Sequence, residues 1–112
     1  MAKKKNNRDI VQSSGNVFTD LGLRNAEEKQ TRVRLAVAIN EIIKSQRVSQ
    51  IAAARLLKIN QPKISALSNY RLDGFSVERL MRFLTALDRD VEIVIRRKPA
   101  TRRTGTILVT AA

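Results

Sequence analysis

The sequence contains no cysteine and no histidine. Without cysteine the chain can form neither a disulfide nor a thiolate metal site. Without histidine it lacks the commonest metal ligand and the usual general base. Its 10 acidic residues are scattered, and no grouping of them would hold a metal or activate a nucleophile. We therefore expect no enzymatic activity, no metal site and no cofactor.

Aromatic residues and long apolar runs are also scarce. Aromatic residues make up 4% of the chain, so the core must be built mainly from aliphatic side chains. No apolar run approaches the roughly 20 residues that a membrane-spanning helix needs. The basic N-terminal stretch also lacks the apolar segment of a signal peptide. We expect no membrane partner and a cytoplasmic location.

Positive charge is what the chain has in excess, with 22 basic against 10 acidic residues and a formal net charge of +12. Such a charge favours binding to polyanions, including nucleic acid. No acidic residue occurs between Glu41 and Asp73, although a solvated surface normally mixes both signs. This acid-free segment carries Lys44, Arg47, Arg55, Lys58, Lys63 and Arg71.

The length of 112 residues allows one small domain with tails. We predict a disordered basic arm at residues 1–16, where polar residues surround a lysine cluster. The helical domain is predicted at residues 17–88 and a β-strand at residues 89–98, where β-branched residues alternate before Pro99. Residues 99–112 are predicted to be a basic tail, in which residues 105–110 are a weaker strand candidate.

The first helix is predicted to begin at Asn25 and to end between Ser45 and Arg47. Asn25 and Glu28 have the spacing of a capping box, and acidic residues suit the positive end of a helix. Apolar residues then recur at helical spacing along one face, namely Leu35, Ile39, Ile42 and Ile43.

Three more helix starts are marked by the capping residues Ser49, Asn60 and Ser76. Pro62 fits the first turn of the third helix, where its missing N–H has no intrahelical partner. Two short helices that follow a longer one and are joined by a tight turn indicate a helix-turn-helix. Ala54 is small enough to let the next helix approach, and Ile64 and Leu67 share the buried side of that helix.

The opposite face of the third helix is small, polar and nearly uncharged. Amides, hydroxyls and small apolar groups can read base edges in the major groove, whereas exposed carboxylates would repel the DNA. We predict base contacts from Gln61, Pro62, Ser65, Ala66 and Asn69. We predict phosphate contacts from Ser49, Gln50, Lys58, Asn60, Lys63 and Arg71.

Residues 49–69, SQIAAARLLKINQPKISALSN, resemble the helix-turn-helix of the XRE (Cro/CI-like) transcriptional regulators. The resemblance rests on Gln50, Ala54, Ile64 and Leu67, with Gln61 at the head of the recognition helix. Residues 16–98 are also similar to the HigA-type antitoxin subgroup. The resemblance implies a mainly α, lambda-repressor-like bundle of four to five helices with a C-terminal β-strand or hairpin, and it implies a homodimer.

Lys58 departs from the family pattern, because this turn position is often glycine. A non-glycine residue in the left-handed conformation costs about 1 kcal/mol or more. We therefore expect a slightly reshaped turn in front of Gln61.

The predicted strand needs a partner, because a single strand is not stable alone. Val91, Ile93 and Ile95 would pair with their copies in a second subunit, or residues 105–110 would pair with them within the chain. We predict a homodimeric repressor that binds double-stranded DNA. The alternatives are an antitoxin that binds a ribonuclease toxin through Phe18, Leu21 and Leu23, and a non-specific nucleic-acid compactor that uses both basic tails.

Overall fold

The computed structural model describes the backbone of residues 17–111 and the side chains of residues 25–111. This part of the chain contains four helices, α1 Val17–Ser45, α2 Gln50–Leu57, α3 Gln61–Ser68 and α4 Val77–Ala86. The chain divides into two units, residues 1–30 and residues 31–112. Residues 17–30 of the first unit are helical, and the second unit contains the core and α2 to α4. The mainly helical fold is confirmed, and the predicted basic arm at residues 1–16 lies outside the described residues.

Helix α1 begins at Val17 rather than at Asn25, so the predicted start is wrong. The capping-box spacing was misleading because an exposed asparagine inside a helix costs less than about 0.7 kcal/mol relative to alanine. The residues directly beside it, Leu23, Arg24 and Ala26, are strong helix formers that offset this cost. The predicted end is confirmed, since the helix stops at Ser45 and Arg47 takes the left-handed conformation at φ 55°.

The other three helix starts are confirmed in atomic detail. The Ser49 hydroxyl accepts a hydrogen bond from the Ala52 amide at 3.1 Å. The Asn60 side-chain oxygen accepts from the Lys63 amide at 2.9 Å, and Pro62 lies in the first turn of α3. The Ser76 hydroxyl accepts from the Arg79 amide at 3.1 Å. Each cap satisfies one of the N–H groups that a helix start leaves without a partner, which stabilises the helix by about 1 kcal/mol.

The hydrophobic core lies between residues 31–45 of α1 and the three shorter helices. Its most deeply buried large side chains come one from α1, two from α3 and one from α4, namely Ile39, Ile64, Leu67 and Leu80. Burying each of these side chains contributes about 1.5–3 kcal/mol to the stability of the fold. Phe75 and Phe83 also lie inside and contact each other edge to face, with ring centroids 5.8 Å apart. In residues 17–111 no helix is both long enough and apolar enough to cross a bilayer.

The predicted C-terminal strand is not present, because no β-strand occurs within residues 17–111. A β-ladder needs a neighbouring strand, and residues 105–110 of the same chain do not form a ladder with residues 91–99. Val91 and Val109 pack against the core. Between them Ile93 and Ile95 are exposed, at 73% and 93% of their surface.

Candidate nucleic-acid interface

Helix α3 is fixed on the domain by packing and by one long-range hydrogen bond. Ile64 and Leu67 are 1% and 0% exposed, which confirms the predicted buried side. The side-chain amide of Asn40 on α1 donates to the main-chain carbonyl of Leu67 at 3.1 Å. The opposite face of α3 therefore has a defined orientation, as base recognition requires.

The turn before α3 is closed by Lys58, which takes the left-handed conformation at φ 58° and ψ 44°. Its amide donates to the carbonyls of Ala54 and Arg55, and the Ile59 amide donates to Ala54 at 3.0 Å. These bonds satisfy the last carbonyls of α2 in the way a C-terminal glycine usually does. Lysine holds the turn in the glycine-like conformation at a cost of about 1–2 kcal/mol.

The structure brings the five predicted base-contacting residues together on α3 and at its C-terminal end. Gln61, Pro62 and Asn69 are exposed, while Ser65 and Ala66 are half-buried, with Ala66 packed partly against the core. The Asn69 side-chain amide donates to the Ser65 carbonyl at 2.9 Å. That bond holds Asn69 back along its own helix, so Gln61 and Pro62 are the most accessible of the five.

The predicted phosphate-contacting residues lie at the start of α2, between α2 and α3, on α3 and in the loop that follows α3. Ser49 and Asn60 already use a side-chain oxygen as a helix cap, although the Asn60 amide group is still able to donate. The other four members of the set are Gln50, Lys58, Lys63 and Arg71, of which only Lys63 is half-buried.

Lys63 is half-buried because its amine lies over an aromatic ring. The Nζ atom is 5.5 Å from the centroid of the Phe75 ring, a cation–π contact that orients the side chain. The guanidinium of Arg79, in the first turn of α4, lies 5.5 Å from the same ring and 5.6 Å from that of Phe83. Two cations thus converge on Phe75, and neither has an acidic partner among the described residues.

Arg79 is a candidate contact that the sequence reasoning missed. Two signals could have found it. Arg79 and Phe83 are four residues apart on α4, which places them on one helix side, and Phe75 lies just before the Ser76 cap of that helix. A cation in the first turn is also repelled by the positive end of the helix dipole. Another interaction must therefore compensate for this repulsion.

An exposed groove beside the start of α2 was also not predicted. It is lined by Arg47, Val48, Ser49, Ala52, Arg55 and Leu56. Arg47 and Arg55, which line the groove, extend the basic surface near α2 beyond the predicted contacts. The described residues contain no cluster of acidic side chains that could hold a metal ion.

This geometry defines a helix-turn-helix domain, and comparison with known proteins agrees. Residues 17–96 match the family model described as "Helix-turn-helix domain". A solved structure described as "Putative XRE Family Transcriptional Regulator" is 62% identical to this chain, with a TM-score of 0.76. The similarity covers 79% of this chain and 99% of that chain. No curated protein matches the sequence.

The chain therefore belongs to the XRE helix-turn-helix family. This confirms the family-level resemblance of residues 49–69.

Proposed function

We propose that this protein is a sequence-specific DNA-binding transcriptional regulator that acts as a repressor and inserts α3 into the major groove. The observation that carries the proposal is the two-sided character of α3. Ile64 and Leu67 are buried on one side of the helix, while Gln61 and Pro62 are exposed on the other side. The exposed side carries no carboxylate. An exposed helix face built only for solubility would carry both acidic and basic residues.

The exposed face of α3 has the chemistry that distinguishes base pairs. The Gln61 amide can donate to and accept from one adenine, a pairing that contributes about 1–3 kcal/mol of discrimination. The Ser65 hydroxyl can donate or accept, and Pro62 and Ala66 can contact a thymine methyl group. Because Asn69 is bonded to its own helix, it contributes least to this set.

Phosphate contacts around α3 would supply affinity and fix the register on the duplex. Lys63 and Arg79 share the Phe75 ring, so both cations keep a defined position without an acidic partner among residues 25–111. Ser49, Gln50, Lys58, Asn60 and Arg71 complete the proposed set. Each neutralised phosphate releases a counterion, so binding should weaken steeply as salt is raised.

We also propose a homodimer, joined through the C-terminal segment that carries Val91, Ile93 and Ile95. Ile93, Val94 and Ile95 are 73%, 61% and 93% exposed, an unusual density of exposed β-branched residues. A second copy could pair with this edge through a two-fold axis. Val91 packs against its own core and would contribute less. The two α3 helices would then contact half-sites about 34 Å apart.

The proposal assigns the protein no catalytic activity and a cytoplasmic location. The antitoxin alternative, including the HigA-type resemblance, would need a toxin-binding surface. Its predicted residues, Phe18, Leu21 and Leu23, lie on the part of α1 whose side chains are not described. We therefore favour regulation of transcription, for which the exposed face of α3 is the supporting observation.

The test is a selection of bound sites from random duplex DNA in the presence of excess bulk DNA. We expect an enriched motif with two-fold symmetry and half-sites about one helical turn apart. If no sequence is enriched over bulk DNA, the result would contradict the proposal and favour non-specific compaction. An enriched motif without symmetry would retain DNA recognition and contradict the homodimer.

A further inference from the structure

The C-terminal segment contains an ordered basic turn, residues 96–106, most of which lies beyond the residues that match the helix-turn-helix family model. The Arg102 amide donates to the Pro99 carbonyl at 3.2 Å and closes a β-turn. The Arg102 guanidinium donates to the Thr106 hydroxyl at 2.9 Å, and the Lys98 amine donates to the Arg102 carbonyl at 2.9 Å. These bonds give the segment a defined shape.

The cations of the basic turn fall into two groups. Lys98 and Arg102 form hydrogen bonds within the turn, Lys98 to a main-chain carbonyl and Arg102 to a threonine hydroxyl. Arg96, Arg97 and Arg103 are exposed and form no hydrogen bond or ion pair with any residue that the structure describes. The sequence has no acidic residue after Glu92. Three guanidinium groups are therefore presented to solvent, and the acidic residue nearest to them in the sequence is Glu92, four positions before Arg96.

The basic turn is tethered at both ends to the domain that carries α3. Val91 before it and Val109 after it pack against the core. Pro99 follows Val91 by eight positions, so the turn can extend at most about 27 Å from the core. The basic turn therefore stays close to the domain on which a duplex read by α3 would be bound.

We infer that the basic turn is a second DNA-binding element, in which Arg96, Arg97 and Arg103 contact backbone phosphates of the duplex that α3 reads. The inference rests on the proposed function. A guanidinium group matches a phosphate through two parallel hydrogen bonds, which makes arginine suited to this role. An acidic protein partner is less favoured, because the residues between Arg97 and Arg103 are small or polar and include none of the aromatic residues that are enriched at the core of protein interfaces.

The first test compares the wild-type chain with the triple variant R96Q/R97Q/R103Q. Affinity for the selected operator duplex is measured over a series of salt concentrations. We expect the plot of log affinity against log salt to become shallower by about two to three units per bound chain. At about 0.1 M salt the affinity should fall at least about tenfold, while the preferred base sequence stays the same.

The matched control is K29Q/R34Q/K44Q, which removes the same number of charges from α1 at positions outside every proposed contact set. It should change the salt dependence by less than one unit. Equal effects of the two triple variants would show that net charge alone matters and would overturn the inference. A slope unchanged by R96Q/R97Q/R103Q would also overturn it.

A second variant tests whether the shape of the turn matters. Thr106→Val removes the side-chain acceptor of the Arg102 guanidinium, leaves only its longer bond to the Thr104 carbonyl at 3.5 Å, and keeps every charge in place. We expect about a threefold loss of affinity, because the arginines must then be ordered on binding, with an unchanged salt slope. If the variant binds with the affinity of the wild type, the claim that the bonds within the turn order the arginines for binding would be overturned.

Failure of this inference can be told apart from failure of the proposed function. If the wild-type chain selects no preferred duplex, the proposed function fails whatever the basic turn does. If it selects a duplex and R96Q/R97Q/R103Q binds that duplex with the wild-type salt slope, only the basic turn is excluded as a contact.

Discussion

The side-chain amide of Asn40 on α1 donates a hydrogen bond to the main-chain carbonyl of Leu67 on α3, with a nitrogen–oxygen distance of 3.1 Å. The two residues are 27 positions apart in the sequence. Leu67 is completely buried, so the bond acts at the point where α3 is held most firmly by packing. It couples the orientation of the proposed recognition helix to α1.

Asn40→Ala should lower the free energy of unfolding by about 1 kcal/mol, the value of one hydrogen bond. A larger decrease is not expected, because the Leu67 carbonyl also accepts from the Tyr70 amide and would keep one partner. The melting temperature should fall by roughly 4–8 °C for a domain of this size. Thermal unfolding of Glu41→Ala, an exposed neighbour, provides the control. Equal melting temperatures for the two variants would show that the bond contributes nothing.

Lys58→Gly should raise the free energy of unfolding by about 0.5–1 kcal/mol. Relief of the left-handed conformation at φ 58° gains about 1–2 kcal/mol, and the greater freedom of glycine in the unfolded chain offsets part of that gain. Denaturant titration of Lys58→Gly and Lys58→Ala separates strain from charge, because alanine removes the charge but keeps Cβ. If the alanine variant were as stable as the glycine variant, strain at Lys58 would be ruled out.

Gln61→Ala should remove the preference for one base pair, at a cost of about 1–3 kcal/mol on the preferred duplex. The measurement is binding to the selected operator and to its single-base variants. Lys63→Ala is the control, since removing a phosphate-binding cation should weaken all sequences alike and flatten the salt slope by about one unit. Unchanged base preference in the Gln61 variant would mean that the recognition face has been assigned wrongly.

Arg79→Gln should flatten the salt dependence of DNA binding by about 0.9 units, the contribution of one phosphate contact. It should also destabilise the domain, because the guanidinium no longer lies over the rings of Phe75 and Phe83. Each such cation–π interaction at an exposed site is worth about 0.5–1 kcal/mol. Arg82→Gln removes the same charge from the exposed face of α4, where Arg82 pairs with Glu78 at 3.2 Å. The same salt slope in both variants would exclude Arg79 as a DNA-binding residue.

The parts of the fold that could be predicted from the sequence depend on local interactions. Ser49, Asn60 and Ser76 each bond an amide three residues ahead, so their spacing alone locates the helix starts. The buried side of α3 follows equally locally, because Ile64 and Leu67 are three residues apart and share one helix face. These features place the exposed face of α3 before any long-range contact is known.

The parts of the fold that could not be predicted depend on competition between local conformational preferences or on contacts with residues far away in the sequence. Asn25 has the composition of a helix start, but the flanking helix formers decide its conformation. The contact of Lys63 with Phe75 joins two elements, and no periodicity within α3 indicates it. The alternation of Val91, Ile93 and Ile95 indicates a strand, but a strand also needs a neighbouring strand, which residues 17–111 do not provide.

Ile93→Pro should shift the proposed homodimer toward monomers, because proline removes a main-chain donor from the pairing edge. The domain should keep its helical circular dichroism, since Ile93 lies outside α1 to α4 and is 73% exposed. Ala100→Pro is the matched control, as it places proline at the second position of the Pro99–Arg102 turn, where proline is favoured. Light scattering coupled to size-exclusion chromatography should give a dimer mass for the wild-type and Ala100 variants and a lower mass for the Ile93 variant. A dimer mass for all three chains would exclude pairing through residues 91–95, and a monomer mass for the wild type would exclude the homodimer itself.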